Sequence, residues 1–106
     1  MLALRIEIAR WLSDDQPGFV ECRFTDAHGV EHLVHEKVPV VTLDKITAAS
    51  VLPLDGVIGC ERVDTRLEGG RRIVRVSTER PWHVASTAGL AQFDVYTEQL
   101  VDLSTT

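Results

Sequence analysis

Two adjacent glycines, Gly69 and Gly70, stand between two runs of alternating apolar and polar residues. Glycine adopts positive φ without a Cβ clash, and a type I′ turn needs positive φ at both central residues, so the pair signals a hairpin. The chain from Gly56 to Arg80 is therefore expected to form two antiparallel strands. A two-residue loop pairs Leu67 with Arg72, Thr65 with Val74 and Val63 with Val76, and a four-residue loop keeps the same partners. Val63, Thr65, Val74 and Val76 are then the core face. Arg62, Asp64, Arg66, Ile73, Arg75 and Ser77 face outward, with Asp64 opposite Arg75 in a cross-strand ion pair.

A second hairpin is written into GFVECRFTDAHGVEHLVHEKVPVVT, residues 18–42. Val20, Cys22 and Phe24 share one face of a strand from Phe19 to Thr25. Asp26-Ala27-His28-Gly29 fits a type I turn with glycine closing a three-residue loop. That register places Phe24 opposite His32 and Cys22 opposite Val34. The returning strand runs from Val30 to Lys37, and Pro39, which has no N–H, ends its ladder or marks an edge. Before this hairpin, Leu2, Leu4, Ile6 and Ile8 recur at period two, which predicts a half-buried strand over residues 2–12. SDDQPG (13–18) breaks the chain. Between residues 43 and 55 Asp44 is expected to cap one helical turn reaching Ala49, which Pro53 prevents from continuing. Pro81 stops the Gly56–Arg80 hairpin. Residues 82–91 form a loop of small residues, Phe93 to Tyr96 a strand and residues 99–103 a last short one, with a bend at Thr97-Glu98.

Six to seven short strands, tight turns and at most one short helical turn predict an all-β domain over residues 1–106. A small closed or partly open antiparallel β-barrel is favoured because closure removes sheet edges. A two-sheet sandwich is the alternative. The net charge of −5 argues against general nucleic-acid binding, which needs a basic excess to displace counterions. No basic leader precedes a continuous apolar run, and no apolar run approaches the roughly 18 residues that cross a bilayer. A soluble cytoplasmic protein without a membrane partner is the expectation. Cys22 and Cys60 lie in no CxxC pattern and are expected to be reduced, buried thiols.

Four groupings could carry chemistry. His28, His32 and His35 are spaced H-x3-H-x2-H, but on a strand His32 and His35 point to opposite faces and His28 sits in the turn. The partial metal set that remains is His32 and Glu36 with Cys22, short of the three or four ligands zinc requires. Cys22 and His32, diagonal neighbours in the hairpin, could form a nucleophile–base pair, against which stands the apolar setting of the thiol. The loop RPWHVASTAG (80–89) brings Trp82, His83, Ser86 and Thr87 together, a common binding-site composition that could lid a barrel mouth. Its structural alternative is that Trp82 plugs the barrel end. The arginines Arg62, Arg66, Arg71, Arg72, Arg75 and Arg80 make the second hairpin locally basic, but Glu61, Asp64, Glu68 and Glu79 offset them. No P-loop, GxGxxG, GxSxG, HExxH or CxxC pair is present.

The segments DAHGVEH (26–32), HEKVPVV (35–41), DGVIGCERV (55–63) and FDVYTEQLV (93–101) give the chain a resemblance. It resembles small bacterial proteins of unassigned function, over most of its length after residue 18. The resemblance implies a compact intracellular β domain and supplies no activity and no cofactor. A non-enzymatic binding or protein-interaction module is the expected function, meeting a partner or a second copy through a loop end or a strand edge. The stretch ending at Pro39 is the candidate edge. The alternative is a small metal-dependent or Cys/His enzyme using Cys22 and His32 or the 80–89 loop.

Overall fold

The computed structural model describes residues 1–13, 15, 18–42, 46–47 and 49–103. The strands are β1 (Leu2–Ser13), β2 (Phe19–Thr25), β3 (Glu31–Lys37), β4 (Leu54–Gly59), β5 (Glu61–Glu68), β6 (Arg71–Ser77), β7 (Gln92–Tyr96) and β8 (Leu100–Asp102). One helical turn, α1 (Val38–Val41), follows β3, and a 3-10 turn (Thr97–Gln99) joins β7 to β8.

The twelve-residue β1 organises the first sheet, whose order is β3-β2-β1-β4 with β8 also on β1. Its early residues pair with β4, from Ala3 opposite Gly59 to Ile8 opposite Leu54. Its later residues pair with β2, from Glu7 opposite Arg23 to Ser13 opposite Phe19. Leu2 to Leu4 take β8 as a further antiparallel partner. The second sheet has the order β5-β6-β7. Among the described residues the pairing thus gives two antiparallel sheets, the arrangement weighed against a closed barrel.

The chain passes from one sheet to the other at Cys60, the single residue between β4 and β5. Its N–H donates to the Leu2 carbonyl at 2.9 Å, so the corner is tied to β1. This corner splits the single strand expected over residues 56–68 in two, which raises the strand number to eight among the described residues. One apolar core serves both sheets: Leu4, Ile6, Ile8, Val20, Cys22, Phe24, Val34 and Ile58 from the first meet Val74, Val76, Phe93 and Val95 from the second. Burying each such side chain stabilises the fold by roughly 1.5–3 kcal/mol.

The hairpin registers follow the sequence closely. Phe24 stands opposite His32 and Cys22 opposite Val34. Asp26 Oδ1 accepts the N–H groups of His28 and Val30, and Gly29 has φ 80°, which closes the turn. The strand begins one residue later than expected, at Glu31. Pro39 does end the β3 ladder, but by opening a helical turn, where a missing N–H is harmless. The turn expected to start at Asp44, and Pro17, lie outside the described residues.

The β5–β6 hairpin departs from expectation in one place. Gly69 (φ 57°) and Gly70 (φ 80°) form the two-residue turn, and Leu67 pairs with Arg72, Thr65 with Val74 and Asp64 with Arg75. A register shift follows between Arg62 and Asp64, so Val76 faces Arg62 rather than Val63. Val63 is 52% exposed and Thr65 is exposed, so neither belongs to the core. Periodicity reports which residues share a face; it does not report whether that face is covered, and β5 lies at the margin of its sheet. Ile73, expected outside, is buried. Its cross-strand neighbours are Arg66 and Tyr96, long side chains able to lie over it.

Candidate binding surface

The three histidines of the first hairpin go to three different carboxylates. His35 Nε2 meets Glu21 at 3.0 Å, His32 Nε2 meets Asp26 at 2.7 Å, and His28 Nε2 meets Asp94 of β7 at 3.0 Å. Strand parity separates His32 from His35, and the turn carries His28 across to the second sheet. Among the described residues no three His, Cys, Asp or Glu side chains are grouped to hold a metal ion. Glu36 accepts the N–H of Lys37 at 3.1 Å.

Asp94 is the most heavily used polar side chain. It takes Arg75 Nε at 2.9 Å, Arg66 Nη2 at 2.9 Å and His28, with only 10% of its side chain exposed. The hydrogen bonds from Arg75 and Arg66 hold its carboxyl well below the usual carboxylate range. The bond to Asp94 in turn raises His28. Burial alone would raise Asp26, but the hydrogen bonds from His32 and from the Val30 and His28 amides bring it below its ordinary value. Asp26, His28, His32, Arg75 and Asp94 line a cleft of about 270 Å³ with Phe93 and Gln92.

Cys22 is fully buried opposite Val34, and burial pushes its thiol up to about 12. Only the thiolate is a nucleophile, so at neutral pH this sulfur is a small core residue. The ring of His32 packs on Phe24 and Phe93, at centroid distances of 5.2 and 4.8 Å, and its Nε2 serves Asp26.

The loop after β6 divides in two. Ser86 is buried, its Oγ accepting the Leu90 N–H at 3.1 Å, and the Thr87 N–H donates to the Leu33 carbonyl of β3 at 2.8 Å. These residues fasten the loop to the β3 edge, the edge the sequence singled out. Trp82 and His83 remain exposed; His83 has φ 54° and its N–H bonds to the Glu79 carbonyl. Trp82, 54% exposed, does not plug the core: it lines an open groove of about 290 Å³ with Met1, Val40, Val57 and Leu103.

Three of the six arginines of the basic strip are engaged. Arg66 and Arg75 serve Asp94, and Arg71 lies over the Tyr96 ring at 3.5 Å while pairing with Glu98.

Sheet edges complete the survey. The β3 edge carries Thr87. The β7 edge is met by the turn of the first hairpin, where the Ala27 N–H donates to the Asp94 carbonyl at 2.8 Å and Tyr96 Oη donates to the Ala27 carbonyl. Among the described residues no such backbone bond reaches β5, nor β4 at the far edge of the first sheet; β5 is the longer of the two and the more exposed. Its outer edge is open over eight residues, every one exposed except the half-buried Arg66, and Leu67 is 68% exposed. The sequence contained the signal for this: an apolar-alternating strand beside Gly69-Gly70 that is also dense in charge of both signs.

Comparison with protein families, with curated proteins and with solved structures returns no match to this chain.

Proposed function

We propose that this chain is a non-enzymatic protein-interaction module of the cytoplasm, built as a partly open barrel whose working surface is the β5 edge. The observation that carries the reading is the open edge of β5 with Val63 and Leu67 exposed beside it. An unpaired strand edge offers a row of backbone donors and acceptors to an added strand, and alternate side chains give specificity. The passage of β4 into β5 through the single residue Cys60 supports the barrel-like reading, because the two sheets are then linked by consecutive strands with no intervening loop. That no helix among the described residues is long and apolar enough to cross a membrane is consistent with this role. A small enzyme using Cys22 and His32, or the loop with Trp82, His83, Ser86 and Thr87, is the alternative; the buried thiol and the prior engagement of His32 with Asp26 weigh against its first form.

The test is site-specific photo-cross-linking in living cells. Leu67 is replaced by p-benzoylphenylalanine, with Val51, a still more exposed loop residue, as control. Discrete adducts are expected from position 67 and not from position 51. A folded, expressed protein that gives no adduct from position 67 overturns the reading.

A further inference from the structure

The charge pattern of β5 is complementary to itself, and we infer that the partner of this edge is the β5 of a second copy, paired antiparallel about a two-fold axis at Thr65. The inference rests on the reading of β5 as the interaction edge and specifies its occupant.

The backbone sets which pairings are possible. Glu68 and Arg71 flank a two-residue turn with both glycines at positive φ, so they form the hydrogen-bonded pair of the hairpin. Pairs then alternate along the ladder. Arg66 opposite Ile73 and Asp64 opposite Arg75 are bonded to β6, whereas Thr65 and Leu67 turn their N–H and C=O groups to the open edge. An added β5 must therefore match odd-numbered residues with odd-numbered residues.

Charge chooses among the registers that remain. With Thr65 opposite Thr65 of the second copy, Val63 meets Leu67, Asp64 meets Arg66 and Arg62 meets Glu68, each twice by symmetry. A slip of two residues one way puts Asp64 against Asp64 and Arg62 against Arg66. A slip the other way puts Arg66 against Arg66 and Asp64 against Glu68. Opposite charges facing across strands stabilise a pair and like charges destabilise it, so one register is attractive and its two neighbours are repulsive. The favoured register also sets the two exposed apolar side chains, Val63 and Leu67, against each other. The register shift near Val63 limits regular pairing about the two-fold to Asp64–Arg66 of each copy, with Val63 and Arg62 meeting Leu67 and Glu68 beyond the bulge, which keeps the ladder short and the dimer dissociable. The product is one continuous six-stranded sheet, β7-β6-β5 joined to its symmetry mate.

Sedimentation equilibrium of the purified chain is the experiment. A monomer–dimer equilibrium with Kd of roughly 1–100 µM is expected for so short a ladder. Thr65→Pro removes an outward N–H without touching the β6 ladder and should weaken the dimer at least about tenfold. Asp64→Lys sets like charges opposite Arg66 and should weaken it about tenfold, more at low salt. Register is read by oxidative cross-linking. Thr65→Cys should form a covalent dimer, its mate being about 5.5 Å away in a bonded pair. Leu67→Cys alone should not, its mate lying four residues along, about 13 Å away. A chain monomeric throughout this range, or a dimer indifferent to Thr65→Pro, overturns the inference; so does cross-linking of Leu67→Cys in preference to Thr65→Cys. If the chain is monomeric while position 67 still cross-links to another protein in cells, the edge reading stands and only its occupant is wrong.

Discussion

At the scale of single residues, the side chain with the most consequence is Asp94, because one carboxylate neutralises two arginines and a histidine from three segments. Removing it leaves those cations facing one another. Asp94→Ala should cost about 1–3 kcal/mol of stability, read as a fall in Tm. The sign of its pH dependence follows from the direction of each shift. Asp94 titrates below its unfolded value, so its contribution is complete above about pH 4 and is lost as pH falls through and below that point. His28 titrates above its unfolded value, so its contribution is complete below about pH 6.5 and is lost as pH rises through the raised value. Tm should therefore be greatest between these limits. Asp94→Ala should shrink the alkaline arm and leave the parts of the acid arm due to Asp26 and to Glu21, which the Arg10 hydrogen bond lowers to about 2. None of this was legible in the sequence. The spacing of His28, His32 and His35 was visible, and strand parity correctly separated His32 from His35. The partner of His28 is 66 residues away, and a contact so distant leaves no periodic trace.

At the scale of elements, the hairpins were legible because their registers are fixed locally, by Asp26 to Gly29 in one case and Gly69-Gly70 in the other. What was not legible was where a face is covered. The alternation of Val63, Thr65 and Leu67 looks like that of Leu4, Ile6 and Ile8, yet the first set is exposed and the second packs in the core. Coverage is decided by distant elements. Gly56 shows the same dependence. A Cβ at this position would lie 2.8 Å from the Val41 carbonyl and 3.0 Å from the Cδ1 atoms of Ile6 and Ile8. Gly56→Ala should therefore destabilise by about 1–3 kcal/mol through overpacking, measured by chemical denaturation, although its strand register predicts no such cost. Unchanged stability would mean that α1 does not press on β4 as closely as described.

At the scale of the whole molecule, the fold has two sheets and a shared core, and loops or turns bond to the edges of β3 and β7. The sequence pointed to the edge near Pro39, and β3 is an edge strand, met by a loop at one point through the Thr87 N–H; among the described residues no such bond reaches the edges of β4 or β5. The all-β class was readable from periodicity and turn chemistry, whereas the division into two sheets depends on the corner at Cys60, where CER continues the alternation without a break. The central claim is that β5 keeps an outward row of backbone groups for a second strand. Residue-resolved amide hydrogen exchange tests it most directly. In dilute protein the Thr65 and Leu67 amides should exchange rapidly while Asp64 and Arg66, bonded to β6, are protected; at high concentration Thr65 and Leu67 should become protected as well. Protection of Thr65 and Leu67 that is already present at high dilution, or exchange that stays fast at every concentration, would contradict the account.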